Sequence, residues 1–473
     1  MRKQILIGIR IENDNFATLI YFVMQFELTK EFLDHLNNAV AAGAEQEVLM
    51  LIQDLHPADI AEILDEQSLN QAKAFFSFLP KELGSDVIIE LDEDTREKFL
   101  AALTSQEIAS QFIDNMDSDD AADVIGELSD EKRDEVISHI EDIEQASDIL
   151  KLLNYPEDTA GGLMANELAR VNWNWSIGNC LTELKKQAEE LDKIYTVYVV
   201  DDDDVLKGRI SLRKLLLTPS NKKVKDIYDD DILSVTPDTD DEQVANIMEK
   251  YDLVSVPVVD EMGRLLGRIT IDDVVDVIKE EAERDYQMAS GISENVESSD
   301  KFWIISRARL PWLLVGLLGG IVSSKIIGIY EDQLRFNPEM AFFIPLIAAM
   351  GGNVGVQSSA LIVQGLANNS LGLNSVWSKV IKEMAVGILN GLVCSAIIFG
   401  YNYFFGATMD LAITVSIALI SVIFFAGIFG TIIPLMLNKY KIDPALATGP
   451  FITTTNDIFG IFLYFFIGYL MYA

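Results

Sequence analysis

"ATGPFITTTNDIFGIFLYFFIGYLMYA", residues 447–473, is apolar over nearly its whole length, yet it carries Asp457. About 20 helical residues span the roughly 30 Å of hydrocarbon in a bilayer, so the stretch is long enough to cross one. Insertion scales put the cost of an aspartate at the centre of such a helix at about 2.5–3.5 kcal/mol. No Lys or Arg stands at the centre of the apolar runs to offset that cost. Three readings follow. Asp457 is protonated, or it faces water and a cation, or Asn456-Asp457 caps a broken helix. Thr453, Thr454, Thr455 and Asn456 place further oxygens beside it. An all-oxygen donor set suits a hard cation such as Mg²⁺ or Ca²⁺, not Zn²⁺ or Cu²⁺.

Working outward, four more runs of spanning length lie near 310–329, 341–366, 383–405 and 411–437, with the last near 446–472. Five such runs argue for a polytopic helical membrane domain over the buried helices of a soluble protein. Lys301, Arg307, Arg309, Lys379, Lys382, Lys439 and Lys441 flank one side, against Lys325 and Arg335 on the other. The positive-inside rule then puts the N-terminal part in the cytoplasm and the C-terminus outside. The second run, "IPLIAAMGGNVGVQSSALIVQGLA", carries Gly351, Gly352 and Gly355 together with Asn353, Gln357, Ser358 and Ser359. These residues serve either as helix–helix glue or as a pore wall of amide, hydroxyl and carbonyl oxygens.

Charge divides the chain. Of 36 Lys/Arg and 74 Asp/Glu, nine and seven lie from Lys301 onward, leaving 27 basic against 67 acidic residues before it, a net of −40. Such acidity disfavours nucleic acid and anionic headgroups and favours cations. Cys180 and Cys394 form no CxxC, and His35, His56 and His139 are scattered, so neither a disulfide framework nor a soft-metal cluster is expected. "MRKQILIGIRIENDN" is a poor signal peptide because Arg10, Glu12 and Asp14 interrupt it, and "FATLIYFVMQF" (16–26) is too short to span. Residues 1–26 read as an extension of unknown role.

Residues 27–153 read as short amphipathic helices in units of roughly 30 residues, the signature of a helical superhelix. In "MDSDDAADVIGEL", Asp119 and Asp123 fall at i,i+4 on one face. Like charges at that spacing repel, and either solvent or a divalent cation relieves them. A second repeat has a period of 59 residues: "YVVDDDDVLKGRISLRKLL" (198–216) aligns with "PVVDEMGRLLGRITIDDVV" (257–275). Each copy is a strand, an acidic turn, a second strand crossing "LxGRI", then a helix. The pair resembles tandem cystathionine-β-synthase (CBS) domains, α/β modules that often bind adenosine nucleotides. The nucleotide signature S/T-x-x-D is complete only in the second copy, Thr270 to Asp273; in the first, Ser211 is followed by Lys214. Next, Asp272, Asp273, Asp276, Glu280, Glu281, Glu283 and Asp285 crowd one helix, with Lys279 and Arg284 as its only cations.

The order of these parts, with "YPEDTAGGLM" (155–164), "GGNVGVQSS" and "DPALATGPFITTTNDIFG", resembles the MgtE family of bacterial Mg²⁺ channels over roughly residues 27–473. The resemblance implies a multidomain chain: 1–26, extension; 27–153, acidic helical domain; 154–220 and 221–285, the two CBS domains; 286–308, a connecting plug helix; 309–473, the pore domain of five spans. It implies a homodimer in the bacterial inner membrane, with Mg²⁺ as the ion carried. Asp457, Thr453, Gly460 and Asn353 are the expected pore site. Asp119 and Asp123 are expected to sense cytosolic Mg²⁺ across from Asp273, Asp276, Glu281 and Asp285. Thr270 and Asp273 are the expected contacts of ATP or another adenosine nucleotide. The family pattern carries asparagine at the positions of Val356 and Gly449, which leaves the order among Mg²⁺, Mn²⁺ and Co²⁺ open. Other readings of the residues are a proton-coupled solute carrier using Asp457, a Co²⁺/Mn²⁺ transporter, or a receptor without transport. No Walker A, HExxH or G-x-S-x-G motif marks an enzyme.

Overall fold

The computed structural model describes Phe26, 28–189, Leu191, 193–294, Val296, 300–367, 376–405, 408–447 and 449–472. The "FATLIYFVMQF" run lies, but for Phe26, outside the described residues. The chain forms two compact units, Met1–Val277 and Ile278–Ala473.

In the first unit, short helices follow one another: α1 (Lys30–Ala41), α2 (Glu45–Ile52), α3 (Pro57–Asp65), α4 (Leu69–Phe76), α5 (Lys81–Ile89), α6 (Glu93–Ala101), α7 (Ser105–Gln111), α8 (Ser118–Gly126), α9 (Asp130–Ile137) and α10 (Ile143–Leu152). Side chains start them: His56 with Asp59, and Thr104 with Glu107, form reciprocal caps on α3 and α7. Each helix buries one apolar stripe; α8 buries Ala121, Ala122, Val124 and Ile125. The 30-residue period is visible in the bonds between turns of the superhelix. Lys81 Nζ donates to Ser110 O at 2.9 Å, Ser105 Oγ to Glu135 Oε2 at 2.7 Å, and Gln145 Nε2 to Ile113 O at 2.9 Å. Lys132 Nζ donates to Leu100 O and Leu103 O at 2.6 and 2.9 Å, tying α9 to the turn that follows α6.

The 59-residue repeat folds as two small sheets. β1 (Ala169–Asn172) pairs in parallel with β2 (Val197–Val200), and β2 pairs antiparallel with β3 (Leu206–Ile210); α11 (Ile177–Gln187) and α12 (Leu212–Leu217) accompany them. In the second copy α13 (Asp241–Lys250) precedes the antiparallel pair β4 (Ser255–Val259) and β5 (Leu265–Thr270). The register shifts at equivalent places, Val199/Val200 and Val258/Val259. The aspartate of each acidic turn takes two backbone N–H groups onto one oxygen: Asp201 from Asp203 and Val205, Asp260 from Met262 and Arg264. Each "GR" glycine admits a crossing backbone. A Cβ on Gly208 would lie 2.0 Å from Asp229 O, and one on Gly267 would lie 2.7 Å from Ala165 O. Asp229 and Ala165 accordingly bridge to Arg209 and Arg268.

The helix α14 (Ile271–Ala289) begins directly after β5. A single connecting helix over 286–308 does not form. Gly291 turns the chain at φ +82°, and from Phe302 onward residues belong to α15 (Phe302–Ile329), which therefore starts before Leu310. After the short α16 (Glu331–Phe336) come α17 (Ile344–Ala367), α18 (Val376–Phe404), α19 (Met409–Lys439) and α20 (Gly449–Tyr472). With Pro338–Phe343 leading into α17, five helices are long and apolar enough to cross a membrane. α19 packs on α17, α18 and α20, and α20 also packs on α15 and α17. Glycines bring these backbones close: Gly430 lies against Gly355 O, and Gly319 against Thr454.

Candidate ion sites

α20 runs unbroken through Asn456 and Asp457, so the pair does not cap a broken helix. Asp457 and Thr453 stand four residues apart on one face of α20. Both meet Gly352 of α17, whose Cβ, if present, would lie 3.7 Å from Asp457 Oδ1 and 3.6 Å from Thr453 Cγ2. Glycine there keeps the carboxylate uncovered. Thr453 Oγ1 donates to the carbonyls of Gly449 and Pro450 at 3.2 and 3.1 Å, which leaves its lone pairs available as acceptors. Asn353, next to Gly352, is exposed within this unit.

Two neighbours behave differently. Gly460 is buried, and a Cβ on it would lie 3.3 Å from Val422 Cγ1 and 4.0 Å from Ile347 Cγ2. Asn456 faces Gly351 and Gly355 instead of the Asp457 face; it is 1% exposed, and its side-chain atoms have no hydrogen-bond partner. Gly449 has φ +52°, and a Cβ on it would lie 2.3 Å from Ala289 O at the end of α14. Gly291 meets Pro450 in the same way, at 2.5 Å. The absence of an asparagine at position 449 thus has a steric cause in this chain. A second membrane carboxylate escaped the sequence reading: Glu383 of α18 accepts a hydrogen bond from Ser358 Oγ of α17 beside Gly427 of α19. An acidic residue at the rim of an apolar run was the available signal.

In the first unit the sequence-predicted pair gains company. Asp119, Asp120 and Asp123 of α8 lie in one electrostatic cluster with Asp273 of α14. Burial, then Asp120 and Asp273, hold the Asp119 carboxyl well above the usual carboxylate range. Burial, then Asp273 and Asp117, push Asp120 to about 7. Burial and Glu157 push Asp123 to about 7, although part of the residue stays open to solvent. Asp273 is raised by burial, against two hydrogen bonds from Thr270: its N–H at 3.1 Å and its hydroxyl at 2.7 Å, both to Oδ2. One oxygen each of Asp117, Asp119 and Glu167 also lies within 4.8 Å of the others. Glu167 meanwhile accepts from the N–H and hydroxyl of Ser118 at the start of α8. Asp120 and Glu157 were legible only as members of "DSDD" and "YPEDTAGGLM".

The other carboxylates expected on the sensor lie further along α14. Asp276 is exposed, and Glu281 accepts from Arg284 at 2.7 Å. Asp285 belongs to the second unit, where burial and then the charge of Asp443 raise its carboxyl. Asp443 in turn accepts from Ala445 N at 2.8 Å in the turn before α20. The T-x-x-D motif of the second repeat is closed on itself as the Thr270–Asp273 bonds; Ser211 in the first repeat caps α12 through Lys214 N–H at 3.3 Å.

Fold and sites together define a polytopic helical membrane protein with a carboxylate in its last span and an acidic soluble part built on a CBS repeat. Family models match residues 344–467 (MgtE, divalent cation transporter), 55–158 (MgtE intracellular N domain) and 224–280 (CBS domain). A magnesium transporter MgtE of Bacillus subtilis (strain 168) is 32% identical over 423 residues, 89% of this chain and 93% of that protein. One of Thermus thermophilus is 32% identical over 441 residues, 92% and 97% of the two chains. The solved soluble part of a magnesium transporter is 29% identical, with a TM-score of 0.49, over 54% of this chain and 99% of that one. The chain belongs to the MgtE family.

Proposed function

We propose that this protein carries Mg²⁺ across a membrane and is gated by Mg²⁺ on its acidic side. The observation that carries the reading is Asp457, facing Gly352 with Thr453 in an otherwise apolar helix of an MgtE chain. Mg²⁺ sheds water reluctantly, so a carboxylate with hydroxyl and carbonyl oxygens, reached partly through water, suits it. A second copy would bring a second Asp457 to the same axis and balance the dication; the proposed state is a homodimer. The loop lysines and arginines support an orientation with the acidic part in the bacterial cytoplasm.

For gating, the cluster of Asp119, Asp120, Asp123 and Asp273 is the sensor we favour, with Asp285 and Asp443 as a second acidic pair. When Mg²⁺ is scarce the carboxylates repel; when it is abundant, bridging ions favour the compact state, a shift of population toward the state that binds the ligand better. The contact of Ala289 and Gly291 with Gly449 and Pro450 supports a plug formed by the end of α14, at the start of the helix that bears Asp457. An adenosine nucleotide at the CBS pair would meet Asp273 through its ribose, next to the sensor.

Flux into liposomes tests the pore. Purified wild-type protein is expected to admit Mg²⁺, and Asp457→Asn is expected to lose most of that flux while keeping its oligomeric state. Full flux through the variant would remove Asp457 from the ion path.

A further inference from the structure

Among the described residues Arg268 is the charged residue best shielded from water, 8% exposed. Its counterpart in the first repeat, Arg209, has a side chain 42% exposed and stands 3.9 Å from Asp229. Equivalent sequence positions therefore hold one arginine at the surface and one inside. Around the inner one, Nη2 is 3.8 Å from Asp117 Oδ2, Nη1 donates to Lys193 O at 3.4 Å, and the guanidinium carbon is 5.8 Å from the centre of the Tyr195 ring. Its Nε is buried with no hydrogen-bond partner. A guanidinium so sparsely bonded is costly to bury unless opposite charge surrounds it. That charge is present. Asp117 stands at the N-terminal boundary of α8, whose next residues include Asp119, Asp120 and Asp123, and Asp273 feels the field of Arg268.

We infer that Arg268 is a built-in counter-ion of the carboxylate cluster, holding the start of α8 on β5 through Asp117 before any metal binds. It thereby limits how far the cluster opens without Mg²⁺. The inference rests on the reading of this cluster as a Mg²⁺ sensor. The physical basis is simple. A dication can leave the cluster, but a side chain cannot, so one positive charge is permanent and the rest is supplied by the ion.

Amide hydrogen exchange of α8 in the full-length protein in detergent tests this, with EDTA or with millimolar Mg²⁺. Arg268→Met keeps an unbranched apolar stem and removes the guanidinium with its charge. In EDTA, exchange of α8 is expected to quicken about fivefold or more in that variant. Asp117→Asn is expected to act in the same direction, and the double variant to be no faster than the faster single one. In saturating Mg²⁺ the variants and wild type are expected to exchange alike. Unchanged exchange in EDTA would overturn the inference, and so would fully additive single variants. Equal acceleration of β5, α13 and α8 in both solutions would also overturn it, reducing Arg268 to packing of the second repeat. The sensor reading is judged separately: it falls if Mg²⁺ does not slow α8 exchange in wild type, whereas the comparison in EDTA involves no metal.

Discussion

Burial and neighbouring carboxylates lift Asp120 and Asp123 to about 7 and hold Asp119 well above an ordinary carboxyl. A carboxyl raised in the folded state binds more protons there than in the unfolded chain. Its stabilisation is therefore complete below the unfolded value of 3.8 and is lost as pH rises through the folded one. Without divalent ions, the soluble unit is expected to melt at lower temperature at pH 8 than at pH 5. Mg²⁺ should restore more stability at pH 8, where it meets unprotonated carboxylates. Calorimetry in EDTA and in Mg²⁺ reads both; a midpoint that does not fall with pH would contradict the cluster's electrostatics. Asp65 gives an independent check. Burial, with Asp92, Glu66 and Glu62 around it, raises it to about 6 despite a hydrogen bond from Thr95. Asp65→Asn is expected to raise the melting temperature above pH 6 and to change it little near pH 4. The candidate residues were legible because a carboxylate in an apolar helix and an i,i+4 aspartate pair break local rules. Arg268 was not legible, since the same "GRI" occurs twice and only its surroundings differ.

At the scale of elements, glycine positions govern how the helices meet. Gly355 faces Asn456, whose Nδ2 would stand 1.8 Å from an added Cβ, and its carbonyl faces Gly430. Gly355→Ala is expected to cost about 1–3 kcal/mol by overpacking, read as a lower thermal midpoint in detergent. Gly449→Asn meets two obstacles, a left-handed φ and the Ala289 carbonyl. It is expected to separate the end of α14 from the start of α20 and to weaken closure by Mg²⁺, measured as residual flux at high internal Mg²⁺. Wild-type closure in that variant would mean that the junction is not the plug. In the helical domain, Lys132→Met is expected to cost about 1 kcal/mol, because the two hydrogen bonds that tie α9 to Leu100 and Leu103 are lost. Spans and repeats were legible as period and length. The start of the first span was not: Lys301, Arg307 and Arg309 were read as preceding it, yet its helix begins at Phe302.

At the scale of the molecule, a chain with net −40 before Lys301 and almost none after it is expected to compact its first part when cations bind there. Limited proteolysis is expected to slow strongly in millimolar Mg²⁺; equal digestion with and without it would end the sensor reading. The architecture was determined by patterns that need no folding to be read. These are the five apolar runs, the 30- and 59-residue periods and the charge asymmetry, because the bilayer, the helix and the strand each impose their own length and spacing. Tertiary structure alone decided the rest. It placed Asp457 and Thr453 on Gly352, turned Asn456 and Gly460 toward other helices, gave Asp285 the charge of Asp443 as its neighbour and sank Arg268 beside the start of α8. Those outcomes depend on which backbones come close and which charges share a low-dielectric space. Neither is a function of spacing along the chain.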